Sequence, residues 1–265
     1  MQGRVLIVAG SDSGGGAGIQ ADIKTVTALG GYAATALTAL TAQDTRDVHA
    51  IHEVPAAFVR QQMQVVLDDI GADAIKTGIL HRTEVLEVVA YTIAEAAAGV
   101  PLVVDPVMVA KGGASLLDGD TRLVLREQLI ARATVITPNL PEAEILVGGT
   151  IADEAEMAAA GREILGLGPR AVLMKGGHLP GNEVVDLLVT ADGTERFASP
   201  RIDTRHTHGT GCTLASAIAT GLAQGRDLRA AVSRARAYVV EAIRSAPGYG
   251  HGHGPLNHAH TVRAD

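Results

Sequence analysis

The sequence predicts an α/β protein whose central, mostly parallel sheet is covered by helices on both faces. Short β-rich runs alternate with longer stretches in which apolar residues recur at helical spacing. The clearest strand, around Val5–Val8, is continuously apolar, as a strand buried on both faces must be. Glycine-rich or polar turns then follow one strand after another, where open α/β sheets bind ligands.

Taken in order, Arg4–Ala9 reads as a buried strand and Ala17–Leu29 as a helix closed by Gly30-Gly31. Tyr32–Leu40 is an alanine-rich second strand. Pro55–Ile70 is helical, with Phe58, Met63, Val66 and Leu67 on roughly one face. Asp73–Lys76 reads as a short strand and Thr83–Ala98 as a helix with Glu84 and Glu87 in its first turns. Leu102–Val104 and Thr134–Ile136 read as central strands separated by a helix near Asp120–Ile130. Ala171–Met174 is another strand, followed by a hairpin from Val184–Val189 to Arg196–Ala198 around Asp192-Gly193. Helices over Gly211–Ala223 and Asp227–Arg244 close the pattern. With no repeat or linker in view, residues 1–265 are expected to form one domain, with a short polar tail after about 258.

Composition narrows the function. A net charge of −7 argues against a nucleic-acid surface, which needs a basic stripe, and 2% aromatics with no tryptophan argue against a base-stacking platform. One cysteine cannot form an internal disulfide, which fits a reducing compartment. The start lacks a signal-peptide pattern, and no apolar run approaches membrane-spanning length. The expectation is a soluble cytoplasmic protein with neither nucleic-acid nor membrane partners.

The most informative stretch is His208-Gly209-Thr210-Gly211-Cys212-Thr213, which sets that cysteine at the start of an apolar helix. Gly209 and Gly211 let the backbone approach a ligand, and first-turn N–H groups then face an anion such as a phosphate. A thiol placed there is expected to have its thiolate favoured by the helix dipole. Other readings fail on spacing. A serine-hydrolase elbow needs glycines where Thr210 and Leu214 stand. A dinucleotide fingerprint needs one at Leu214, and no Gly-Lys-Ser/Thr marks a Walker loop.

Together with Ala9-Gly10-Ser11-Asp12-Ser13, Gly15-Gly16-Ala17-Gly18-Ile19-Gln20-Ala21-Asp22 and Thr38-Ala39-Leu40-Thr41-Ala42-Gln43, this turn resembles the hydroxymethylpyrimidine/phosphomethylpyrimidine kinases of thiamine biosynthesis. These belong to the ribokinase-like superfamily. The likeness extends to the tail motif Gly252-His253-Gly254-Pro255-Leu256-Asn257-His258. It implies a ribokinase-like fold, a small-molecule aminopyrimidine substrate, ATP with magnesium, and a homodimer. Most superfamily members carry aspartate as base where this chain has Cys212.

The resemblance implies roles residue by residue. Gln43 can donate and accept at once, which suits the ring nitrogen and amino group of an aminopyrimidine. Gly10, Asp22, Ile79, Val107 and Arg236 would complete the substrate site, Arg236 toward its phosphate in place of a usual lysine. Asn139, Lys175 and Thr210 would hold ATP. Asp105 and Glu142 would hold magnesium through water. Cys212, Gly209, Gly211 and Lys175 would carry the transfer. Gly14 and Gly112 stand where serine is common, and His206 where asparagine is. The tail histidines His251, His253, His258 and His260 are a weaker candidate for metal binding. The alternatives are a pyridoxal kinase, or a nucleotide-binding sensor without turnover.

Overall fold

The computed structural model describes residues 2–108 and 117–262. Nine strands form one sheet in the order β3-β2-β1-β4-β5-β6-β7-β8-β9. They are β1 (Arg4–Asp12), β2 (Tyr32–Gln43), β3 (Val48–Glu53), β4 (Ala74–Thr77), β5 (Leu102–Val104), β6 (Val135–Ile136), β7 (Ala171–Lys175), β8 (Glu183–Thr190) and β9 (Gly193–Pro200). The run from β2 to β7 is parallel, while β3 on one side and β8–β9 on the other are antiparallel. The expected α/β class and mostly parallel sheet are therefore present.

Eight α-helices are seen among the described residues: α1 (Gly18–Ala28), α2 (Ala56–Asp69), α3 (Thr83–Ala96), α4 (Gly119–Val124), α5 (Leu140–Val147), α6 (Glu154–Leu165), α7 (Thr210–Ala223) and α8 (Leu228–Arg244). Beyond α4 the chain winds through a π-helical turn, Leu125–Leu129, and a 3-10 turn, Ile130–Arg132. No described helix is long and apolar enough to cross a membrane.

Strand alternation builds two cores. Leu6, Val8, Ile75, Val104 and Ile136 face one side and pack with Val59, Met63, Leu86 and Met157 of α2, α3 and α6. Val5, Ile7, Val103, Val135 and Leu173 face the other and pack with Val26, Ile218 and Val232 of α1, α7 and α8. Successive residues of one strand thus serve opposite layers. That requirement explains why β1 reads as an unbroken apolar run rather than an alternating one.

The sequence reading omits three elements. Every residue of β3 is exposed, so no burial pattern marks it. Helix α5 is capped by Asn139 in a reciprocal capping box with Glu142, a start signal carried by the sequence itself. Helix α6 is capped by Asp153, whose side chain accepts from the Glu156 amide. Strand β2 also runs on to Gln43, beyond the expected Leu40, because β3 pairs with its far end.

Candidate active site

The carboxyl ends of the parallel strands and the amino end of α7 converge on a cleft of about 1120 Å³. Gly209 caps α7 at φ 83°, and a Cβ there would collide with the Gly16 carbonyl. Only glycine satisfies both demands. Thr210 Oγ1 donates to the Thr207 carbonyl at 2.8 Å, fixing the turn. The amides of Gly211 and Cys212 fall in the first turn, where a helix has no acceptor of its own for them.

On one flank of this turn lies a charged triad. Lys175 Nζ is 3.1 Å from Asp105 Oδ1 and 3.8 Å from Glu142 Oε2, with both carboxylates nearly closed to solvent. Thr137 Oγ1 donates to the same Asp105 oxygen at 3.2 Å. Burial pushes Glu142 up to about 7, and the charge of Asp105 adds to that rise against the pull of Lys175. Burial pulls the Lys175 ammonium down, but the two carboxylates outweigh it and raise it. Gly211 belongs to the triad's wall, since a Cβ there would lie 3.3 Å from Lys175 Nζ. Asn139 and Glu142 hold each other by the α5 capping box, at 2.9 and 2.8 Å. The box fixes where the Glu142 carboxylate sits.

On the other flank, Asp12, His208 and Gln43 meet. Asp12 accepts from the Gly14, Gly16 and Ala17 amides at 2.8, 3.0 and 2.8 Å, and from His208 Nε2 at 2.8 Å. Burial works to raise the Asp12 carboxyl, yet these hydrogen bonds hold it below its ordinary value. The terminal amide of Gln43 approaches His208 Nε2 at 3.3 Å. Gly10 and Ile79 touch, since a Cβ on Gly10 would lie 2.8 Å from the Ile79 side chain. Val107 lines the cleft.

Three expectations need correction. Asp22 is not open to the cleft: it is fully buried, and its oxygens are taken by Lys76 Nζ at 2.9 and 3.0 Å and by Ser216 Oγ at 2.7 Å. Arg236 lines the cleft, but two of its three guanidinium nitrogens turn inward. Its Nε donates to Asp186 at 2.7 Å, and a terminal nitrogen to the Val184 carbonyl and Ser199. Cys212 is also not tuned to thiolate. Burial pushes its thiol up to about 11, Asp22 and Asp105 add to the rise, and Lys76 with the Gly18 amide offsets only part. Desolvation and two carboxylates win over the helix end.

The remaining positions are simpler. The Gly14 amide serves Asp12, and His206 packs against Gly254 of the tail. Gly112 lies outside the described residues. The tail histidines are tied into the fold: His258 meets Thr213 Oγ1 at 2.9 Å and His260 the Tyr238 carbonyl at 3.1 Å. Among the described residues no cluster of histidine, cysteine and carboxylate side chains has metal-holding geometry. The motifs quoted from the sequence contain Asp12 and His208 without giving either a role, and Lys76 reads there only as a strand residue. The one available signal was a lysine inside an otherwise uncharged strand, Ala74–Thr77, where an ammonium must find a buried partner.

Residues 12–257 match the family model described as phosphomethylpyrimidine kinase. The chain belongs to the phosphomethylpyrimidine kinase family. It is 55% identical over 257 residues to the thiamine biosynthesis bifunctional protein of Geobacter sulfurreducens, covering 97% of this chain and 52% of that one. It therefore spans about half of that longer relative. It is 49% identical over 254 residues to the hydroxymethylpyrimidine/phosphomethylpyrimidine kinase of Streptomyces coelicolor, covering 96% of this chain and 93% of the relative. The crystal structure of an ADP complex of Bacillus subtilis pyridoxal kinase superposes with a TM-score of 0.92 at 38% identity, covering 98% of each chain. This family's fold thus also serves a kinase named for another substrate.

Proposed function

We propose that this chain phosphorylates the hydroxymethyl group of 4-amino-5-hydroxymethyl-2-methylpyrimidine with ATP, and then phosphorylates the resulting monophosphate to the diphosphate. Family membership and the names of its relatives support the reaction class. One observation carries the substrate. Gln43, a side chain able to pair with an aminopyrimidine edge, touches His208 at 3.3 Å, and His208 opens the turn that ends in Cys212. In this reading the Gln43–His208 contact links recognition to the transfer turn, with Gln43 just outside the lining of the main cleft.

In this reading Gln43 orients the ring while Gly10, Ile79 and Val107 wall it in, so the hydroxymethyl group points at the α7 turn. The first-turn amides of α7 face the charge that builds on the transferred phosphoryl group. Cys212, a thiol at neutral pH, hydrogen-bonds the substrate hydroxyl and polarises it rather than acting as a preformed thiolate base. Lys175 supplies positive charge beside the turn, and Asn139 and Thr210 complete the nucleotide side.

The donor set fits a hydrated magnesium ion. Asp105 and Glu142 bring two buried carboxylates against a single ammonium, an excess of negative charge that a divalent cation relieves. When bound, magnesium would neutralise phosphate charge, held through water by these two residues. The reading further takes the chain as a single catalytic domain, acting as a cytoplasmic homodimer.

Replacing Gln43 tests the substrate assignment. Gln43→Ala should weaken pyrimidine recognition by about 1–3 kcal/mol and leave ATP affinity unchanged. Equal weakening of both ligands would make Gln43 a structural residue of the β2–β3 turn.

A further inference from the structure

Hydrogen-bond accounting around His208 fixes a feature of Gln43 that bears on substrate choice. His208 Nε2 lies 2.8 Å from Asp12 Oδ2, and an ionised carboxylate can only accept. Nε2 therefore carries a proton, whether the ring is neutral or an imidazolium. The Gln43 atom placed 3.3 Å away is Nε2, and a protonated His208 Nε2 cannot accept a hydrogen bond from that NH2, so the amide must be turned over. The group of Gln43 that faces His208 must be an acceptor, so it is the carbonyl oxygen.

The opposite end of the amide agrees. That end, placed as Oε1, lies 3.3 Å from Thr41 Oγ1, but the single Thr41 hydroxyl proton goes to the nearer Ser11 carbonyl at 2.8 Å and leaves two acceptors facing each other. Thr41 Oγ1 is thus an acceptor toward Gln43, and the amide NH2 belongs there. Both ends are satisfied in one orientation and in conflict in the other. Asp12 is itself held by three loop amides, so the direction of this network is set by the backbone.

We infer that the Asp12–His208 pair is a specificity-determining lock, which holds the Gln43 amide with its oxygen toward His208 and its nitrogen toward Thr41. A heterocycle on Gln43 then meets a spare N–H on the Thr41 side and a spare carbonyl lone pair on the His208 side. Such an edge accepts a ring nitrogen beside an exocyclic amino group. It rejects the 4-oxo counterpart, whose ring N–H and carbonyl present the reverse pattern. His208 and Asp12 act here through Gln43, as positioning residues. The inference rests on the aminopyrimidine reading for its ligand, while the lock itself can be read without turnover.

Two measurements test it. Long-range proton–nitrogen NMR of the histidine-labelled full chain, with His208 assigned by loss of its signal in His208→Gln, should show a protonated Nε2. A neutral ring protonated only at Nδ1 overturns the lock, whatever the enzyme's activity. The second is the ratio of kcat/KM for 4-amino-5-hydroxymethyl-2-methylpyrimidine to that for its 4-oxo analogue, or the ratio of their affinities by calorimetry. His208→Ala should lower this preference on the order of tenfold or more, the scale of one misassigned bidentate pair, with KM for ATP unchanged. His208→Gln, which keeps a donor N–H at that position, should restore most of it. A preference unaltered in His208→Ala overturns the proposal.

Discussion

Lys76 Nζ lies 2.9 Å from Asp22 Oδ2 with neither side chain open to solvent, close to the α7 turn. Ser216, one helical turn beyond Cys212, donates to the same carboxylate at 2.7 Å. The pair thus joins β4, α1 and α7, and places a compensated charge near the sulfur. Asp105 and Asp22 both raise Cys212, and Lys76 is the main opposing charge.

Breaking this pair should cost stability steeply. Lys76→Met leaves Asp22 buried and unpaired, which is expected to destabilise the fold by about 3–5 kcal/mol. Lys76→Met with Asp22→Asn removes both charges and should recover most of the loss. Urea unfolding of the two variants gives the answer. Equal destabilisation in both would mean that packing, not charge compensation, sets the cost.

Cys212 is the only cysteine in the chain, so alkylation reads it without interference. With the thiol pushed up to about 11, alkylation by iodoacetamide should rise roughly tenfold per pH unit from neutral to about pH 10. A rate that levels off by pH 8 would reveal a stabilised thiolate. Cys212→Ala should keep the fold and lower turnover by about 10²-fold or more. Retention of full turnover with saturating substrates would assign catalysis to the backbone turn alone.

Glu142 gives a pH signature of opposite sense to that of an ordinary salt-bridged carboxylate. Its folded value of about 7 lies above the ordinary 4.5, so the native state holds a proton that the unfolded chain releases. Its contribution is fully present below about pH 4.5 and is lost as pH rises toward 7. Glu142→Gln keeps an acceptor for the Asn139 amide and removes the charge. It should be more stable than the parent at pH 8, with a flatter stability profile between pH 5 and 7, yet slower in ATP turnover. Thermal unfolding across that range checks the sign. A variant less stable at pH 8 contradicts the assignment.

The layered α/β plan was legible because β1, β5 and β7 must face two cores at once and therefore show unbroken apolar runs. The α7 turn was legible because Gly209 and Gly211 each answer a local steric demand. Long-range pairings were not. Nothing in the sequence says that Arg236 will be claimed by Asp186, 50 positions away, or that Asp22 will meet Lys76, 54 positions away. Each residue matched an expected site position, but its partner sits on a distant element, Asp186 on β8 and Lys76 on β4. The raised Cys212 thiol has the same origin, because burial and surrounding carboxylates exist only once the strands assemble.

The central claim is that one site phosphorylates an aminopyrimidine alcohol and then its monophosphate. Its most direct test is product analysis of the purified chain with ATP and magnesium on 4-amino-5-hydroxymethyl-2-methylpyrimidine, its monophosphate and pyridoxal, side by side. The account predicts that the alcohol is carried through to the diphosphate, that the added monophosphate is also consumed, and that pyridoxal is turned over with lower kcat/KM. Pyridoxal phosphorylated more efficiently than the pyrimidine, or ATP bound without any product, would contradict it.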